Sequence, residues 1–175
     1  QSPSTKPPAE PPPAPLPAEF SAEALKAYSA GLKEARALLA SKQYDAAIAK
    51  LDALNRERPR EPQARFLRSV AETESGKTDA AVATLQSLAA DFPELPEVHN
   101  NLAVIYASRG SLELAKSELE LAIAASPDYA PAVENLGDIY TRLAARQYER
   151  AIALEKGKGA APAKLKLVRD ALAAH

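Results

Sequence analysis

The sequence predicts an all-α fold: a solenoid of antiparallel helix hairpins with a C-terminal capping helix. A fixed 34-residue period links Pro59, Pro93 and Pro127, and in the same way Ala47, Ala81 and Ala115 and Leu51, Leu85 and Leu119. Six of the seven prolines beyond residue 20 come in pairs, Pro59 with Pro62, Pro93 with Pro96 and Pro127 with Pro131. The first of each pair ends one helix, and the second sits in the opening turn of the next, where a missing N–H costs little. Gly76 and Gly110, also 34 apart, mark the turns inside two hairpins. Such a period belongs to repeats that cannot bury their apolar face alone and must stack on a neighbour.

Composition narrows the function. The 175 residues suffice for one domain, and 22 basic against 23 acidic residues leave a formal net charge of −1. That balance gives no general attraction to nucleic acid or anionic lipid. No run approaches the roughly 18 consecutive apolar residues of a membrane-spanning helix. Cysteine is absent and there are two histidines, which leaves no thiolate nucleophile, disulfide or cysteine–histidine metal site. Methionine is absent too, and the chain starts at Gln1 in a segment rich in Pro, Ala, Ser and Glu. This composition is often found between a removed export signal and the first folded element, so export to the periplasm is expected, with a cytoplasmic protein as the alternative.

Each element follows from local chemistry. Residues 1–20 hold eight of the fifteen prolines and read as a disordered, polyproline-like spacer. Ser21 caps a helix over 22–40, with Leu25, Tyr28, Leu32, Ala35 and Leu39 at helical intervals. Helices are then expected at 44–57, 62–75, 78–91, 96–109, 112–125 and from 130. Small residues recur at Ala35, Ser69, Ala103 and Gly137, each 34 apart. The fourth unit breaks the rule. Gln147-Tyr148-Glu149-Arg150-Ala151-Ile152-Ala153 echoes Gln43-Tyr44-Asp45-Ala46-Ala47-Ile48-Ala49, two residues late. Either the turn after Leu143 is lengthened or 130–155 runs as one helix; the lack of a breaker before Gly157 favours the latter. Gly157, Gly159 and Pro162 break the chain, and Leu165, Val168 and Leu172 give a last amphipathic helix to cover the end of the stack. The organisation is thus a tail at 1–20, a solenoid at 21–156 with units 28–61, 62–95, 96–129 and a degenerate 130–156, and a break with capping helix at 157–175.

The segment Pro96-Glu-Val-His-Asn-Asn-Leu-Ala-Val-Ile-Tyr-Ala-Ser-Arg-Gly-Ser-Leu-Glu-Leu-Ala115, continuing to Pro127, resembles the tetratricopeptide repeat. Unit 62–95 is similar through Ser69, Gly76, Ala81, Leu85, Leu88 and Pro93, and unit 28–61 through Ala35, Leu38, Tyr44, Ala47, Leu51, Leu54 and Pro59. The bulky aromatic common near the start of the first helix is His99 in the third unit and Arg65 in the second. The resemblance implies a right-handed superhelix whose first helices line a concave groove. It also implies protein or peptide binding, without chemistry or cofactor.

On those first helices the groove is expected to present Phe66, Val70 and Thr73, then Asn100, Asn101, Val104 and Ser108, then Glu134, Asn135, Asp138, Thr141 and Arg142. Asn101 and Asn135 stand 34 apart, and each offers donors and an acceptor to the backbone of an extended peptide, as such residues do in some relatives. Local capping of polar groups is the plainer role for the same pair. The basic clamp that some members use for a terminal carboxylate is not expected, because these positions carry Asn, Val, Glu and Asp, with Arg142 and Arg36 the only basic residues there. Glu134 and Asp138 suit a polar or basic ligand segment instead. His99 is read as a packing residue, and Glu118 and Glu120 as solvated. One internal histidine cannot complete a Ser/His/Asp set, so no catalytic residue, cofactor or metal ligand is expected. The expected function is a non-catalytic adaptor for a protein or peptide partner in a bacterial envelope. The alternatives are a structural, self-associating component of a larger assembly (a homo-oligomer) and a regulatory part of an enzyme.

Overall fold

The computed structural model describes residues 21–156 and 158–173. The proline-rich segment 1–20, Gly157 and the last two residues, His175 among them, lie outside the described residues. Eight helices occur among those described: α1 (Ala22–Ala40), α2 (Tyr44–Glu57), α3 (Pro62–Glu74), α4 (Thr78–Asp91), α5 (Pro96–Ser108), α6 (Leu112–Ala125), α7 (Ala130–Leu154) and α8 (Ala161–Ala173). Each packs on the next in sequence, and α1 also meets α3 and α5 meets α7. The pattern is that of a solenoid of helix hairpins with neighbour-only contacts.

The caps show why these segments start and stop where they do. Ser21 is extended (φ −64°, ψ 150°) and its Oγ accepts from the Ala24 N–H at 3.1 Å. Pro62, Pro96 and Pro131 each lie in a first helical turn, where no N–H is needed. Inside the hairpins one closure recurs three times. The N–H groups of Gln43, Lys77 and Ser111 donate back to the carbonyls of Leu38, Glu72 and Tyr106 at 2.9, 2.8 and 2.9 Å. The residue before each is left-handed: Lys42 at φ 58°, Gly76 at 80° and Gly110 at 76°. Glycine adopts this without steric cost, and Lys42 does so against its preference.

Thirty-four residues beyond Gly110 stands Ala144. There the helix does not stop: residues 130–154 form one helix of 25 residues. Leu143-Ala144-Ala145-Arg146 consists of good helix formers, and nothing favours a left-handed residue. The fourth hairpin is therefore straightened, and α8 packs on α7 instead. Lys164 Nζ lies 5.9 Å from the Tyr148 ring, and Arg169 pairs with Glu149 at 2.7 Å.

The core repeats with the sequence. Ala47, Ala81 and Ala115 are fully buried, as are Leu51, Leu85 and Leu119 to within 1%. A buried Leu side chain contributes about 1.5–3 kcal/mol by leaving water, so these alanine–leucine seams dominate cohesion. Buried polar side chains interrupt them, Glu72 and His99 among them. Glu72 is 2% exposed; its carboxylate meets Arg68 Nη2 at 3.2 Å and accepts from Thr84 Oγ1 at 2.8 Å. Arg68 also reaches Asp52 at 3.0 Å, so the cluster ties α2, α3 and α4 together. His99 is buried and its Nδ1 lies 2.8 Å from Glu118 Oε2. Glu118 is therefore not the solvated residue expected from sequence: it turns inward to the imidazole, while Glu120 remains exposed.

A buried carboxylate that loses its cation is left uncompensated, which costs roughly 3–5 kcal/mol, whereas replacing both members with apolar groups costs far less. Arg68→Met is thus expected to lower unfolding stability by about 3 kcal/mol, and Arg68→Met with Glu72→Met to recover most of it. Denaturant midpoints of the two variants and the parent check this; equal loss in single and double variants would contradict it.

Candidate peptide-binding groove

The first helices of successive hairpins, α3, α5 and α7, line one side of the solenoid, and between them the surface is indented twice. Between α5 and α7 lies a hollow of about 230 Å³, walled by Ala103, Val104, Ala107 and Ser108 on one side and Asn135, Asp138 and Arg142 on the other. Its floor is apolar, made of Leu119 and Ile139. Between α3 and α5 lies a second hollow of about 160 Å³, lined by Val70, Thr73, Glu74, Asn101, Val104 and Ile105. Val104 belongs to both and stands between them, 49% exposed. An aliphatic side chain so exposed on a concave surface is one a ligand would cover.

Helical spacing explains the grouping. Asn135, Asp138 and Arg142 follow at i, i+3 and i+7, so they share one face of α7. Ala103 and Ala107 are one turn apart on α5, and two small side chains there leave the room that forms the larger hollow. The polar groups are partly committed. Asn135 Nδ2 donates to Asn100 Oδ1 at 2.8 Å, which leaves the Asn135 carbonyl oxygen for another partner. Ser108 Oγ donates to the Ile105 carbonyl at 2.7 Å, and Thr141 Oγ1 to that of Gly137 at 2.9 Å.

Of the residues singled out from the sequence, Val104, Ser108, Asn135, Asp138 and Arg142 come together around the larger hollow, and Val70, Thr73, Asn101 and Val104 around the smaller. The structure separates four others, among them Thr141, which lines neither hollow. Asn100 is 8% exposed and sits in the α5–α7 seam, where its amide supports Asn135 instead of facing the groove. Phe66 packs half-buried against the core cluster of Leu85, Leu88 and Leu102. Glu134 is exposed and lines neither hollow. Helix-face reasoning does not find Leu119 and Ile139, because the floor is set by where α6 packs behind α5 and α7. The Ala103–Ala107 spacing is the available signal for a cavity.

Among the described residues the displaced titrations lie elsewhere. Burial raises the phenols of Tyr28 and Tyr129, and a hydrogen bond from Lys77 holds the Asp45 carboxyl below its usual range. No group of three or more histidine, aspartate or glutamate side chains able to hold a metal occurs among them, and no described helix is long and apolar enough to cross a membrane.

Two family models, both described as tetratricopeptide repeat, match residues 32–96 and 72–137. Together they span 32–137, more than half of the chain. The chain belongs to the tetratricopeptide-repeat family. Solved structures of similar fold agree. The first tetratricopeptide-repeat domain of Spaghetti (RPAP3), bound to the HSP90 peptide SRMEEVD, matches with a TM-score of 0.60 at 19% identity, over 67% of this chain and 93% of that one. The Yersinia enterocolitica type III secretion chaperone SycD, in complex with a peptide of the translocator YopD, matches at 0.61 and 18%, over 71% and 98%. TTC0263, a tetratricopeptide-repeat protein of Thermus thermophilus, matches at 0.58 and 25%, over 74% and 75%. No curated protein matches the sequence. The tetratricopeptide units here are regular through α6 and lose their hairpin form in α7.

Proposed function

We propose that this tetratricopeptide solenoid is a non-catalytic adaptor that holds an extended segment of one partner protein in its concave groove, and that it works in a bacterial envelope. The observation that carries the binding reading is the pair of adjoining hollows with Val104 between them and an apolar floor at Leu119 and Ile139. A cavity of that size takes one aliphatic or aromatic side chain. Asn101 and Asn135 then offer amide groups to an extended backbone, and Asp138 favours a basic ligand residue nearby. The peptides bound by RPAP3 and SycD in their solved complexes support use of this fold for segment recognition. The acidic SRMEEVD sequence does not suit a groove wall that carries Asp138. The envelope reading rests on the proline- and alanine-rich start and the lack of cysteine.

Display of random unstructured peptides against the chain, followed by anisotropy titration, tests the groove. Enriched peptides are expected to pair an apolar anchor with a nearby Lys or Arg. Ala107→Phe, which fills the larger hollow, and Asp138→Lys are each expected to weaken them about tenfold, or ~1.4 kcal/mol. SRMEEVD is expected not to bind. Affinities unmoved by both substitutions would sink the groove reading. Separately, osmotic-shock fractionation of native cells should release the protein with the periplasmic pool; recovery in the cytoplasmic fraction would contradict the envelope reading.

A further inference from the structure

The small residues of the 34-residue series are covered in three hairpins and bare in the fourth. Ala35, Ser69 and Ala103 are at most 1% exposed. Each belongs to a first helix that its own second helix, α2, α4 or α6, packs against. At Gly137 a Cβ would have nothing within 4 Å. Val133 and Tyr140, on the same face of α7, are each 50% exposed. This is an empty helix seat, bordered on the α6 side by Lys116, whose Nζ lies 5.8 Å from the Tyr140 ring. It is separate from the groove, whose residues Asn135, Asp138 and Arg142 lie on another face of α7.

The chain carries the helix that would fill this seat. Residues 147–153 echo 43–49, the start of α2. Ala151 is the counterpart of Ala47, which packs with no exposure. In the third hairpin the equivalent pair, Ala103 and Ala115, shares one core cluster. In the fourth, Gly137 and Ala151 lie on one straight helix. Fourteen residues at 1.5 Å rise hold them about 21 Å apart, so they cannot meet within one copy.

We propose that two copies of the chain pair their α7 helices antiparallel, each placing residues 147–154 in the seat of the other. The numbering meets the two-fold requirement without adjustment. Gly137 and Ala151 stand seven residues on either side of Ala144. A two-fold axis at Ala144 therefore sets Gly137 against Ala151 at both ends at once, as a self-complementary interface demands. Val133, Gly137, Tyr140, Ala144, Ala151 and Leu154 follow a heptad-like spacing along α7, with Leu154 74% exposed in one copy alone. Glycine and alanine at the crossing let the two backbones approach closely. Ala144 also occupies the place where Lys42, Gly76 and Gly110 turn the other hairpins. Straightening that turn converts an internal hairpin contact into one between copies, which is the geometry of a domain swap.

The absence of cysteine makes the test direct. Sedimentation of the full chain across the micromolar range is expected to show a dimer, and Tyr140→Glu to weaken association about tenfold or more with helicity unchanged. Ala144→Cys, the sole thiol, is expected to crosslink to itself on mild oxidation or with a short bis-maleimide. Gly137→Cys alone and Ala151→Cys alone are expected not to, while their equimolar mixture does. A monomer throughout the range would overturn the proposal. So would a dimer in which Ala144→Cys stays uncrosslinked, or in which Gly137→Cys crosslinks to itself. Should Tyr140→Glu lose helicity, the cysteine pattern decides alone.

Discussion

No hairpin in this chain buries its apolar face by itself. Each of α2, α4 and α6 presents an alanine and a leucine, Ala47 with Leu51, Ala81 with Leu85 and Ala115 with Leu119, and these vanish from solvent only between neighbouring helices. Stability therefore passes from unit to unit as a set of nearest-neighbour terms. The same constraint makes the ends of the stack its weak points. Whatever terminates the series must cover a face that every internal unit covers as a matter of course. Here α8 meets that need for the Tyr148 flank of α7 and leaves Val133, Gly137 and Tyr140 open.

The concave side answers to a different requirement. A groove surface must hold its shape while leaving polar groups unspent. Asn100 gives its amide to Asn135 and is buried in doing so, which fixes Asn135 in place at the rim. Paired alanines on α5 open the larger hollow, and Leu119 from behind supplies its floor. Polar side-chain pairs take the remaining structural work: Glu72 with Arg68 joins three helices in the second hairpin, and His99 with Glu118 joins α5 to α6 in the third. Groove and seat are thus separate faces of α7, one polar and one apolar.

Much of this was legible in the sequence because it rests on local chemistry. The prolines mark helix starts, and the 34-residue alternation of small and large apolar residues marks the core. Departures arise where tertiary packing outranks local preference. Lys42 turns left-handed in a place where glycine stands in the next two hairpins, since the closure from Gln43 to Leu38 outweighs the strain. Glu118 carries no sequence sign that it would turn inward, because His99 lies on another helix. Asn100 and Asn101 are adjacent and chemically identical, yet one is buried and the other lines a hollow; a rotation of about 100° per residue separates them. The straight α7 follows from what Leu143-Ala144-Ala145-Arg146 lacks.

The empty seat and the pairing of copies both depend on α7 being straight, and one distance tests it. Spin labels at Glu134→Cys and Ala153→Cys, in a chain with no native thiol and diluted with unlabelled protein, report the separation within a single copy. Both sites are exposed and lie within α7. A continuous helix places them about 28 Å apart along its axis. A folded fourth hairpin would bring them together, at roughly the 10 Å spacing of packed helices. The longer distance is the predicted result; a population dominated by the shorter one would contradict the straight helix, the empty seat and the pairing built on it.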